Sequence, residues 1–250
     1  MTCDSAPLTT SKLKTVKKTL KRWVPSPVIQ WATERRSAVW LSSRIKGWKL
    51  RHQSHDEVYG DDYFEMVDST SGQSARIMAT SIVEHLAPST VVDLGCGTGN
   101  LMAELRELGV ATKGVEFAEA ALAYCRERGL DVVRLDFTDA GDLEETLGNY
   151  DLAVSSEVAI QLPPEAAPGY VDYLCRHADT VFFSSPPCAR DRLPKSPQTA
   201  EHWMKQFSER GFDLDRETSE QLRSEWEQQG TAPWFHRQPM VFRRRGSNQG

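Results

Sequence analysis

Residues 91–100 read VVDLGCGTGN, from Val91 to Asn100. Two β-branched residues and an acid run into Gly95, Gly97 and Gly99 at alternate positions, the pattern of a buried strand that breaks into a tight loop and re-forms as a helix. The glycines have a physical reason. Without Cβ they turn through conformations closed to other residues and let backbone N–H groups come close to a ligand.

Outward from this stretch, strand and helix alternate. A helix over about 71–86, with Ile77, Met78, Ile82 and Leu86 as its apolar stripe, precedes strand 90–94. The sequence then predicts a helix at 99–108, strand 112–116, a helix at 118–128, strand 131–135, a short helix near 141–147 and strand 150–155. A helix at 166–177 and strand 180–185 follow. Such alternation specifies a parallel sheet covered on both faces. Beyond Pro186 the pattern changes to a loop up to 197, a helix at 198–210, a strand at 212–216, a polar helix at 218–229 and a last strand at 238–243.

Open α/β sheets bind ligands outside the carboxyl ends of their strands. Each strand here ends in a useful group. Asp93 closes the first. Glu116 closes the second, placed to accept both hydroxyls of a ribose. Asp136 and Phe137 follow the third and suit an adenine, with a carboxylate for the amine and a ring to stack on. Ser155, Ser156 and Glu157 follow the fourth. Taken alone, Asp93 reads equally well as a turn residue and Glu116 as a solvated strand end; four successive strand ends make the ligand reading the better one. Two cofactors use such a unit. A dinucleotide requires G-x-G-x-x-G, whereas here the third glycine comes one residue early and Asn100 stands where that pattern needs glycine, which favours S-adenosylmethionine. The expected cofactor set is Asp93, Gly95, Cys96, Gly97, Thr98, Gly99, Glu116, Phe117, Asp136, Phe137 and Ser156.

VVDLGCGTGN, GVEFAEAALAYCRERGL, VVRLDFTDA and YDLAVSSEVAIQLPPE resemble, in order, the motifs of class I S-adenosylmethionine-dependent methyltransferases over about residues 70–190. Later pieces, VFFSSPP, EHWMKQFSERGFDLD and APWFHRQPMVFRRR, are similar to a bacterial subgroup associated with small molecules or saccharides. The resemblance implies a Rossmann-like, doubly wound α/β sheet of seven strands in the order 3-2-1-4-5-7-6, the last strand antiparallel. It also implies methyl transfer to an oxygen or nitrogen. Two departures fall on the acceptor side: EVAIQL puts Ile160 and Gln161 where relatives carry an acid and a histidine, and CARDRLPKSP replaces a glycine-rich loop. The donor half of the resemblance therefore carries over, and the acceptor's identity does not.

Methyl transfer needs alignment of the nucleophile and, for a hydroxyl acceptor, a base. Glu157, His202 and His236 are the candidate catalytic residues, with Tyr59 and Tyr63 as lid residues in the segment 55–75. No metal-ligand spacing is present. The five cysteines are scattered and never C-x-x-C, which points away from a disulfide framework or zinc site and towards reduced thiols and a cytoplasmic setting. Neither a secretory signal nor a membrane span is expected.

Charge divides the chain. Residues 11–52 carry 12 Lys and Arg against one acid, Glu34, for a net +11, so that the remainder of a chain of net charge −5 carries −16. The expected organisation is a basic helical N-terminal extension over 1–56 and a methyltransferase domain over 57–250. Leu13, Val16, Leu20 and Trp23 share one helical face, and Trp31, Trp40 and Trp48 mark a second helix. Packing on the catalytic domain, peripheral contact with an anionic membrane surface and nucleic-acid binding are the three readings of the arm, the last disfavoured. Two rival functions follow: a catalytically silent scaffold that binds the cofactor, and a nucleic-acid methyltransferase gripping through the arm. Oligomeric state is not legible.

Overall fold

In a computed structural model the residues described are 60–246 except 140, 145–146 and 186–197. The expectations for the basic arm at 1–56, for Tyr59 and for the loop after the fifth strand lie outside the described residues. The elements are α1 (Asp61–Leu86), β1 (Thr90–Leu94), α2 (Asn100–Glu107), β2 (Ala111–Glu116), α3 (Glu119–Glu127), β3 (Val132–Arg134), β4 (Leu152–Ser156), α4 (Ala167–His177), β5 (Thr180–Ser184), α5 (Ala200–Glu209), β6 (Phe212–Asp215), α6 (Arg216–Gln228), α7 (Pro233–His236) and β7 (Pro239–Arg244). Single 3-10 turns at Asp142–Glu144 and Ala159–Gln161 complete the set.

The sheet has the order β3-β2-β1-β4-β5-β7-β6. β1 pairs in parallel with β2 on one side and with β4 on the other, so the strand order reverses between β1 and β4. That is where an open sheet leaves a crevice at its carboxyl edge. β7 runs antiparallel to both β5 and β6.

Alternate strand residues feed two cores. Val92, Phe183, Met240 and Phe242 face a cluster with Tyr170 and Leu174 of α4 and Trp203 and Phe207 of α5. Val91, Phe182 and Val241 face the other way, onto Met78 and Ile82 of α1, Leu101 and Leu105 of α2, and Leu222 and Trp226 of α6. Phe183 is a hub of the first cluster, its ring centroid 5.0 Å from Trp203, 5.2 Å from Phe207 and 6.5 Å from Phe242.

α1 differs from expectation. It starts at Asp61, ten residues early, so residues 61–70 are the first turns of a 26-residue helix and not a separate lid segment. The run Ser69-Thr70-Ser71-Gly72 resembles a break, but the Ser69, Thr70 and Ser71 hydroxyls donate back to the carbonyls of Met66 (3.0 and 2.7 Å) and Val67 (2.7 Å), inside the helix. Asp61 and Asp62 in the first turn complement the helix dipole. α6 likewise starts at Arg216, because Asp215 caps it by accepting from the Thr218 N–H at 3.1 Å. Among the described residues no helix is long and apolar enough to cross a membrane.

Removing the Phe183 ring leaves a cavity between fully buried aromatics. Phe183→Ala is expected to cost about 3–5 kcal/mol in urea unfolding, whereas Leu108→Ala, at an exposed position, should change stability by less than about 0.5 kcal/mol.

Candidate active site

A cleft of about 330 Å³ opens at the β1/β4 crevice. Its floor is the glycine loop. Gly95 and Gly97 both have positive φ, 88° and 55°. A Cβ at Gly95 would strike Val158 at 2.3 Å, whereas one at Gly97 would project into open space, so the loop presents bare backbone to the cleft. The Gly95 and Cys96 N–H groups donate to the Val115 carbonyl at 2.7 and 3.0 Å, which ties the loop to the end of β2.

Glu116 completes that tie. Its Oε2 accepts the Gly97 N–H at 3.0 Å, and its Oε1 accepts the N–H groups of Phe117 and Ala118 at 2.8 and 2.9 Å. The side chain is buried, and burial pushes its carboxyl above the usual range against those three donors. Three of the roughly four acceptor directions of a carboxylate are thus taken by backbone. The direction left lies on Oε2, so the expected contact with two ribose hydroxyls would have to be shared there. Asp93, 4% exposed, accepts no hydrogen bond from the described residues. Burial first and the Glu116 charge second push it up to about 7.

Asp136 lines the cleft, with its Oδ1 engaged by the N–H and hydroxyl of Thr138 at 2.8 and 2.7 Å. Phe137 lines it too, its ring packed on Tyr170 with centroids 4.7 Å apart. Ser156 borders the cleft with its Oγ buried and without a hydrogen-bond partner among the described residues. Glu157 borders it from a backbone with φ of 64°, a left-handed conformation that costs about 1–3 kcal/mol in a non-glycine residue and gathers at functional sites. Its Oε1 accepts from the Ser184 hydroxyl at 2.9 Å.

Of the expected residues, Asp93, Gly95, Cys96, Gly97, Thr98, Glu116, Phe117, Asp136, Phe137, Ser156 and Glu157 line the cleft together, as does Tyr63. Gly99, His202 and His236 do not. The missing side chain of Gly99 faces Leu130 and Cys125 behind the loop. His202 sits beside Trp203, whose burial with Phe207 sets the inward face of α5, and its ring packs edge-on against that indole. His236 is turned to Thr231, with Nδ1 and Oγ1 3.1 Å apart. The C-terminal segment instead presents Trp234 and Phe235 to the cleft.

Sequence reading missed the wall contributed by α1: Phe64, Met66, Val67, Thr70 and Ser71. The signal was present, since Phe64, Val67, Ser71, Ala75, Met78 and Ile82 are spaced by three or four residues along one helical face. Two links join this wall to the floor. Asn100 Nδ2 donates to the Ser71 hydroxyl at 2.8 Å and to the Asp68 carbonyl at 3.3 Å. Arg128 donates through Nη1 to the Thr98 carbonyl at 2.6 Å and through Nη2 to Asp68 Oδ1 at 2.7 Å.

Residues 87–227 match the family described as methyltransferase domain. The chain belongs to this family. Among curated relatives of this methyltransferase-domain protein, it is 30% identical to a ubiquinone biosynthesis O-methyltransferase of Methylococcus capsulatus, over 53% of this chain and 58% of that one. It is 32% identical to the chloroplastic magnesium protoporphyrin IX methyltransferase of Arabidopsis thaliana, over 55% and 45%. The chain spans about half the length of these curated relatives. The solved magnesium protoporphyrin IX methyltransferase of Synechocystis, which carries bound S-adenosylhomocysteine, shares the fold with a TM-score of 0.51 at 18% identity, over 70% of this chain and 84% of that one.

Two predictions come from this geometry. Asp93 has a folded pKa above its unfolded value, so the native state holds the extra proton between about 4 and 7, and the group's cost to stability is fully present above 7. Asp93→Asn should therefore stabilise the ligand-free protein at pH 8 by on the order of a few kcal/mol, with the gain shrinking towards pH 4 as read from urea midpoints. For the latch, a double-mutant cycle of Asp68→Asn and Arg128→Gln should give a coupling energy of about 1 kcal/mol, because both side chains are about three-quarters buried.

Proposed function

We propose that this protein is an S-adenosylmethionine-dependent methyltransferase acting on a small-molecule acceptor. The observation that carries the reading is the convergence of three strand-end acids, Asp93, Glu116 and Asp136, with a side-chain-free glycine loop on one cleft. The donor set fits. The bare backbone at Gly97 leaves room for a ligand against the loop, Ser156 Oγ awaits a polar partner, and Asp93 beside Glu116 forms a site that a cation would relieve. Glu116 and Asp136 would hold the nucleoside, and Asp93 would face the positively charged amino-acid end.

When bound, the cofactor supplies a methyl group already activated by a sulfonium. The protein's work is alignment and proton removal. Glu157 is the one candidate base among the three that borders the cleft, and it would take the proton of an acceptor hydroxyl held there. Tyr63, Met66, Trp234 and Phe235 form an apolar wall suited to a ring-bearing acceptor held against the donor loop. The names of the relatives, which specify ubiquinone biosynthesis and magnesium protoporphyrin, support a small-molecule acceptor.

Calorimetry with S-adenosylhomocysteine tests the donor half. The protein should bind it, and Glu116→Ala should weaken binding about 10- to 100-fold, the equivalent of one charged hydrogen bond. Glu157→Gln should leave that affinity in place while lowering label transfer from radioactive S-adenosylmethionine across a panel of hydroxylated acceptors by about 100-fold. Absence of binding removes the reading; binding without transfer to any acceptor supports the silent scaffold instead.

A further inference from the structure

Cys96 stands at the centre of the glycine loop and borders the cleft, and Cys125 lies behind it on α3, fully buried. Both thiols are directed at one atom, the Gly97 carbonyl oxygen, with Cys125 Sγ at 3.3 Å and Cys96 Sγ at 3.9 Å. That shared acceptor sets the two sulfurs beside each other. The space for the sulfurs comes from two missing side chains: a Cβ on Gly114 would lie 2.9 Å from Cys96 Sγ, and one on Gly99 would lie 3.1 Å from Cys125 Sγ. Backbone therefore confines the pair.

We propose that Cys96 and Cys125 are a reversible dithiol–disulfide site for small hydroperoxides entering through the cleft, and that closing the disulfide displaces the glycine loop and lowers cofactor affinity. The effect on affinity rests on the cofactor reading above; the modification site itself does not.

The pair is chemically prepared. The neighbouring Cys96 thiol, with help from the Arg128 guanidinium, holds the Cys125 thiol below its usual range, whereas Cys125 in turn, then burial and the Asp93 and Glu116 charges, hold Cys96 up. Cys125 is thus the sulfur that gives up its proton the more readily, and Cys96 is the partner thiol that resolves it. A thiolate attacks the outer oxygen of the hydroperoxide to give a sulfenic acid, and the alkoxide leaves as the alcohol. The second sulfur then displaces the sulfenic oxygen as water. Two thiols and one hydroperoxide become one disulfide, one alcohol and one water.

A disulfide bond is about 2 Å long, shorter than any thiol–thiol hydrogen bond. Closing it draws Cys96 towards α3, against the Cys96 N–H···O bond to Val115 and the neighbouring Gly97 N–H···O bond to Glu116. Those two bonds set the shape of the loop.

The test treats the reduced full chain with hydrogen peroxide, with and without S-adenosylhomocysteine, then blocks free thiols with N-ethylmaleimide and maps peptides without reduction. The expected product is a linked Cys96–Cys125 peptide whose formation S-adenosylhomocysteine slows. Affinity for S-adenosylhomocysteine should fall by about tenfold or more on oxidation and return with dithiothreitol. Cys125→Ser, with Cys125→Ala as a second variant should the first not fold, should bind like the reduced wild type before and after peroxide. Pairing of Cys96 with Cys3, Cys175 or Cys188, absence of any link, or a link that leaves affinity unchanged overturns the proposal. Failure of the reduced protein to bind S-adenosylhomocysteine would instead remove the methyltransferase reading, and the peptide map would still decide the modification site.

Discussion

A buried carboxylate at the end of β2 organises the cleft. Glu116 is 6% exposed, and an uncompensated charge there would cost several kcal/mol. The compensation is three backbone N–H groups, one from the glycine loop and two from the turn that opens α3. One side chain thereby fixes the exit of β1, the exit of β2 and the entry of α3 relative to each other. The Val115 carbonyl adds two more bonds to the same loop, so the floor of the cleft is held by backbone and by one acid, with little left to vary. Asp93 bears the electrostatic consequence. Buried beside Glu116 and given no donor among the described residues, its carboxyl is pushed up to about 7.

The sheet and its floor were legible because both depend on local pattern. Val91 and Val92, or Phe182 and Phe183, face opposite cores as period-two alternation requires, and glycines and acids at strand ends have few other uses. The order of the strands and the reversal of the last one came through resemblance to a family, not through spacing. The wall of α1 was obscured because Ser69–Gly72 are weak helix formers whose hydroxyls satisfy helix carbonyls only once the helix exists. In the C-terminal segment the sequence carries position but not side-chain direction. His236, Trp234 and Phe235 belong to one short helical turn, in which His236 is turned back to Thr231, five residues earlier, while Trp234 and Phe235 meet the cleft, a division that no periodicity encodes.

The cleft is built from two kinds of material. Its floor comes from strand ends and the loops that follow them, held by ladder bonds and buried acids. The opposite wall comes from α1 and α7, whose apolar residues reach the cleft from helices packed on the outer face of the sheet. Arg128 and Asn100 join the two, with one guanidinium spanning the Thr98 carbonyl and the Asp68 carboxylate. An arginine suits that span because its fork offers several donors in fixed directions, and the partly buried pair is screened less than a surface one.

It follows that the glycine loop cannot respond to one neighbour alone. A shift at Thr98 is felt at Asp68 and hence in the wall formed by α1; a shift at Cys96 is felt at Gly97 and hence at Glu116. Packed backbone has few intermediate positions, so a displacement that begins at Cys125 behind the loop has to be taken up on its cleft face, where Gly97 has no side chain to absorb it. The absence of a side chain that leaves room on the cleft face of the loop is also what leaves its backbone nothing to brace against on that side.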